Sequence, residues 1–319
     1  MSRDLFAARP ALKRTMFKAM IGVASYLPLP LTRMLGYAVS TIAWSVDARG
    51  RRTVRRNLAH FIPPSCPRAL DRGVWAHYHS FATQLSESLR LHRLPSWLLA
   101  PERLTLVDPW ATFAKKPLRG PVILVTVHTN WELMLAAVHR LGLIEQVEAI
   151  ALSHGDPSID HIFERMRGAV GCRSLLLDRA PLAAVRALKA GRILGIIADR
   201  DYTGSGIDVP IAGQPMTLPL GPAALSVQTG APIVPMYLAR SGPNRFMLFV
   251  DKPLLCDPGL AKQRQMADLT GRLAGVFTRF IAAAPTQWIA FHDAWAPKPP
   301  TVLGKRKTLP VGQEGSLSP

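Results

Sequence analysis

The chain has 319 residues, with 39 Lys and Arg against 21 Asp and Glu, for a net charge of +18. Hydrophobic residues make up 48% and charged ones 19%, which excludes a mostly disordered chain and supplies apolar material for one large domain or two small ones. A basic chain with a mean hydropathy of +0.13 fits a phospholipid surface better than nucleic acid, and no helix-turn-helix, RNP-type motif or zinc finger supports the latter.

Charge concentrates at the front. Residues 1–73 hold 13 basic and 3 acidic side chains, a net +10. Two apolar stretches, Ala19 to Leu31 and Met34 to Val46, lie between them, separated by Arg33 and broken by Pro28 and Pro30. Each is shorter than the ~20 residues of a spanning helix. A cleaved signal peptide, a single span fused across Arg33 and an interfacial helix pair are the three membrane readings, and a core helix of a soluble domain is the fourth. The interfacial pair, with Lys and Arg on lipid phosphates, is the expectation. Residues 1–73 are thus read as a basic, apolar, membrane-associating helical segment, 74–296 as an α/β domain, and 297–319 as a disordered tail rich in Pro, Lys, Gly and Ser.

From Gly73 to Arg93, Trp75, Tyr78, Phe81, Leu85 and Leu89 recur at three and four, the spacing of a helix. Four prolines from Pro95 to Pro117 predict an irregular connection. Strands are then expected at Val122–Val127, Val147–Leu152, Ser174–Leu177, Ile193–Ala198, Ile233–Leu238 and Arg245–Val250, the last antiparallel to its neighbour. Helices are expected at Glu132–Leu141, Ile159–Val170, Leu182–Lys189, Leu220–Thr229 and Ala261–Ala284. Continuous β-branched runs such as Val122–Val127 are the mark of strands buried on both faces. The alternation predicts an α/β fold with a mostly parallel central sheet flanked by helices. Cys66, Cys172 and Cys256 form no CxxC pair, so a reducing, cytoplasm-facing compartment without structural zinc is expected.

Sites in such sheets collect at the carboxyl ends of strands. The first buried strand runs into His128-Thr129-Asn130-Trp131-Glu132 and a helix. His128 is therefore the candidate general base, with Glu132 one turn on to accept its other N–H. No Ser or Cys nucleophile accompanies them, which suits direct attack by a hydroxyl on an acyl carbonyl. A capped helix start with a surface pair is the bland reading. One HxxxE lacks a third ligand, so no metal is expected.

The stretch HTNWEL resembles the HxxxxE/D box of the lipid A biosynthesis lauroyl/myristoyl acyltransferases, HtrB-like members of the lysophospholipid acyltransferase superfamily. The likeness continues in order through Arg55-Arg56-Asn57-Leu58 with Phe61 and Pro63, Phe163–Gly171, Leu188–Gly191 with Asp199-Arg200-Asp201, Ile207–Gly213, Thr229–Pro235, and Gln287-Trp288 with His292 and Trp295. The box is one residue short here, the family's Asp-Gln is Asp199-Arg200, and its FFG is Ile211-Ala212-Gly213.

The resemblance implies transfer of a fatty acyl chain from an acyl carrier protein or coenzyme A thioester to a hydroxyl of a lipid A precursor or similar glycolipid, without a bound cofactor, at the cytoplasmic face of a bacterial inner membrane. It implies His128 and Glu132 as catalytic residues and Asn130, Arg167, Asp199 and Arg200 as substrate-binding ones. Arg167 would clamp a phosphate, with a solvated helix-end arginine as the alternative. Asp199 would meet a sugar hydroxyl or an arginine, or cap its loop. Trp131 and Trp288 read as core or interface aromatics. The basic run Arg49–Arg56 would attract anionic lipid or an acidic carrier protein. An aminolipid, glycosyl phospholipid or secondary-metabolite acceptor, or an inactive membrane-bound relative, are the other readings.

Overall fold

The structure is a computed structural model that describes residues 10–63, 65–177 and 180–296. The expected tail at 297–319 lies outside the described residues. Helices α1 (Pro10–Tyr26) and α2 (Leu29–Val46) are separated at Leu27 and Pro28, with a proline in the first turn of α2, where a missing N–H costs nothing. Helices α3 (Ala48–Ala59) and α4 (Pro67–Ser88) follow. The boundary expected at residue 73 falls inside α4.

Seven strands form one sheet: β1 (Leu104–Val107), β2 (Val122–Thr126), β3 (Val147–Ala151), β4 (Cys172–Leu176), β5 (Ile193–Ile197), β8 (Ile233–Gly242) and β9 (Arg245–Val250). Their spatial order is β1-β9-β8-β2-β5-β3-β4. Strands β8, β2, β5, β3 and β4 are parallel, and β9 runs antiparallel to β8 as expected. Strand β1 was not expected; Leu104–Val107 follows three short 3-10 turns and pairs in parallel with β9. A separate hairpin of β6 (Ile207–Ile211) and β7 (Gln214–Leu218) also escaped the sequence reading, because Pro210 and Pro215 interrupt its pattern.

Side-chain alternation sends each strand into two cores. On β2, Val122 and Leu124 join one apolar cluster while Ile123 and Val125 join the other. The first cluster is closed by α5 (Trp131–Arg140) and α6 (Pro157–Gly168), and it also contains Ile21, Ala24 and Leu29 of α1 and α2. The second is closed by α7 (Ala180–Lys189), α8 (Gly221–Thr229) and α9 (Lys262–Ala283). The front of the chain is therefore packed into the same core as the sheet.

Helix α2 has two faces. Thr32 and Ser40 are buried, and a Cβ on Gly36 would sit 2.7 Å from Ser86 Oγ of α4, so glycine permits the close approach. Leu31, Leu35, Val39, Ile42 and Val46 form an exposed stripe at spacings of three and four. Glu87, its side chain fully buried, accepts Arg33 of α2 and both of its oxygens receive Arg240 of β8, which ties the helix pair to the sheet. No helix among the described residues is long and apolar enough to cross a membrane.

Candidate active site

Parallel pairing of β2 with β5 sets Val122 against Ile193 and Thr126 against Ile197. Carried two residues past the strands, the same register brings His128 to Asp199. Nδ1–H of His128 donates to Oδ1 of Asp199 at 2.6 Å, and the main-chain N–H of His128 donates to Oδ2 at 3.0 Å. A third donor, the indole N–H of Trp288, reaches Oδ2 at 2.6 Å. Ile289 N–H returns to the carbonyl of His128 at 2.7 Å.

Asp199 has 2% of its side chain exposed and His128 26%. Burial alone drives the Asp199 carboxyl up, but the adjacent imidazole and the hydrogen bonds from His128 and Trp288 hold it below the usual carboxylate range. Burial likewise pulls His128 down, and the Asp199 charge and hydrogen bond outweigh it. The net effect is an imidazole more basic than its ordinary 6.5, with Arg200 opposing weakly. Because Nδ1 is committed to Asp199, Nε2 is the nitrogen left for a substrate proton.

The carboxylate that orients His128 is thus Asp199, and the expectation for Glu132 is corrected. Glu132 lies in the first turn of α5 but is buried and accepts from Nη2 of Arg167 at 3.1 Å. The expectation that Asp199 meets a sugar or caps its loop is corrected by the same geometry. Arg167 is not a solvated helix end. Its side chain leans toward the start of α6, as helical side chains do, donates to Ser174 Oγ at 3.1 Å, and lies over the rings of Trp131 and Phe163 at 4.7 and 5.3 Å. With its charge neutralised by Glu132, it holds α5, α6 and β4 together. It also lines a cleft of about 240 Å³ with Leu152, His154, Phe163 and Leu176.

Asn130 is corrected as well. It adopts φ 38°, a left-handed conformation that asparagine tolerates, and it is buried. Its Nδ2 donates to the carbonyl of Leu238 and to Gln287 Oε1, while its N–H donates to Gln84 Oε1. It shapes the turn between His128 and α5. Arg200 lies over Tyr202 at 4.8 Å beside the pair. Asp201 accepts from the N–H groups of Thr203, Gly204 and Gly206 and so folds the following loop.

Three supports escaped the sequence reading. Gln287 bonds the main chain of Arg240 in both directions. Trp288, expected as a plain core aromatic, is buried but carries the indole bond to Asp199. Asn57 of α3 donates to the carbonyls of Ala290 and His292 and accepts from Ala294 N–H, fastening the segment that follows Trp288. The signal available was that Asn57, Gln287 and Trp288 all fall in the segments that carried the family likeness. No group of three or more His, Cys, Asp or Glu able to hold a metal occurs among the described residues.

Residues 12–296 match the profile of the bacterial lipid A biosynthesis acyltransferases, and the chain belongs to that family. It is 35% identical over 182 residues to the phosphatidylinositol mannoside acyltransferase of two Mycobacterium tuberculosis strains, covering 55% of this chain and 54% of the relative. The chain thus spans about half the length of those relatives. The protein of the same name from Mycolicibacterium smegmatis is 27% identical over 253 residues, covering 77% of this chain and 80% of the relative. A crystal structure of the 1-acyl-sn-glycerophosphate acyltransferase PlsC from Thermotoga maritima aligns with a TM-score of 0.40 at 14% identity, over 82% of this chain and 99% of that one.

Proposed function

We propose that this protein transfers a fatty acyl group from an acyl carrier protein or coenzyme A thioester to a hydroxyl of a membrane glycolipid. The observation that carries the reading is the imidazole of His128 fixed by Asp199 through Nδ1, with Nε2 free to take a proton. Nε2 removes the hydroxyl proton as the oxygen attacks the thioester carbonyl. The new C–O bond forms, the C–S bond breaks, and the imidazolium returns the proton to the leaving sulfur. Asp199 keeps the tautomer and stabilises the imidazolium. Helix α5 begins three residues after His128, and the positive end of its dipole favours negative charge developing nearby.

The one-residue-shorter box does not disable this pair, because Asp199 rather than Glu132 supplies the carboxylate. The names of the relatives favour a glycosylated phospholipid as acceptor, with a lipid A precursor as the other member of the class.

The exposed stripe of α2, with Met20, Val23 and Tyr26 of α1 also exposed, supports seating on a bilayer, and we propose the cytoplasmic face of the inner membrane as its location. Of the basic run, Arg55 is paired with Asp71 and Arg56 with Asp293, while Arg49 and Arg52 are exposed toward an anionic surface or carrier. The test supplies purified protein with labelled acyl thioester and membranes containing either glycolipid class. Transfer by wild type that disappears in a folded His128→Ala protein is expected; transfer that persists overturns the assignment.

A further inference from the structure

We propose that Trp288 is a positioning residue for the candidate active site: its indole N–H orients the Asp199 carboxylate and sets how strongly that carboxylate attracts the proton of His128. This deepens the general-base reading and rests on it.

Three observations carry the proposal. Trp288 is among the largest fully buried side chains, 1% exposed, so its ring cannot turn without opening the core. Phe61 and Trp295 meet it edge-on at 6.2 and 6.0 Å. Its backbone is held on both sides, by Gln287 against Arg240 and by Ile289 against the carbonyl of His128. The 2.6 Å bond from Nε1 to Oδ2 is therefore imposed by packing rather than by a mobile side chain.

An indole N–H donates and never accepts, so it favours the ionised carboxylate and draws its charge away from the imidazole. Without it, Oδ2 keeps only the main-chain N–H of His128. The carboxylate charge then shifts toward Nδ1–H and strengthens its hold on the imidazolium. The other charged group acting on His128, Arg200, is unaffected. A more basic His128 is more protonated at neutral pH, and less of it is available as a base.

The test replaces Trp288 with β-(3-benzothienyl)alanine, which keeps the ring volume and removes only the N–H. The pKa of His128 is read by ¹⁵N-imidazole NMR of the full chain in detergent, its signal assigned with His128→Gln. Expected is a rise of about half a unit to one unit, with the acidic limb of kcat moving the same way and KM unchanged. Trp288→Phe, judged on the same titration, serves if the first variant does not accumulate. An unchanged or lowered pKa overturns the proposal. A shifted titration in a protein that transfers no acyl group would instead sink the acyltransferase reading and leave the Trp288 link standing.

Discussion

His128 and Asp199 lie 71 residues apart, the same offset that relates every paired residue of β2 and β5 from Val122–Ile193 to Thr126–Ile197. The pair is thus a continuation of a parallel ladder beyond the last strand residues. Two buried strands, each ending in one polar side chain at the same sheet edge, deliver base and carboxylate to hydrogen-bonding distance without a special loop.

Replacing Asp199 by Asn presents an amide to Nδ1 and favours the wrong tautomer. Steady-state kinetics should show kcat lower by about 10²–10⁴-fold with KM little changed. Glu132→Gln should stay within about ten-fold of wild type in kcat. The reverse ranking would return the catalytic carboxylate to Glu132.

The pH dependence follows from the raised His128. The base must be neutral, so activity should climb through an acidic limb centred above pH 6.5, and in Asp199→Asn that limb should move to lower pH. Stability changes in the opposite sense. Proton binding to the folded state is favoured, so this contribution is complete below the unfolded value near 6.5 and is lost as pH rises through the folded one. Urea melts of wild type and His128→Gln across that window should converge at high pH.

Glu132 and Arg167 are buried charges that satisfy each other. Arg167→Ala leaves an uncompensated carboxylate and should cost about 3–5 kcal/mol in chemical denaturation. Adding Glu132→Gln should recover a large part of that loss. Equal stability of the single and double variants would show that the two are not coupled.

Asn57→Ala removes two donors and one acceptor from the segment after Trp288. A loss of about 1–3 kcal/mol in stability is expected, with a lower kcat in protein that remains folded. Unchanged kcat would separate α3 from the site.

Leu35→Glu with Ile42→Glu places charge on the exposed stripe of α2. Sedimentation with anionic vesicles should show binding at least about ten-fold weaker, since each large apolar side chain contributes about 1.5–3 kcal/mol on burial. The melting temperature should hold, because neither side chain is buried in the protein.

The alternation of buried strands and helices, the break between α1 and α2 at Pro28, and the position of His128 at a strand end are all properties of local order along the chain. Hydrophobic period and proline geometry act over a few residues, so a linear reading captures them. The partner of His128 was decided only by which strands became neighbours. Glu132 is close in sequence, yet the turn at Asn130 directs it to Arg167, while strand register delivers Asp199 from 71 residues away. Strand β1 and the role of Trp288 belong to the same class. Leu104–Val107 becomes a strand only because β9 offers it an edge, and an indole N–H acquires a task only when packing aims it at a carboxylate. Contacts between distant segments depend on how the whole core closes, and no window of neighbouring residues contains that information.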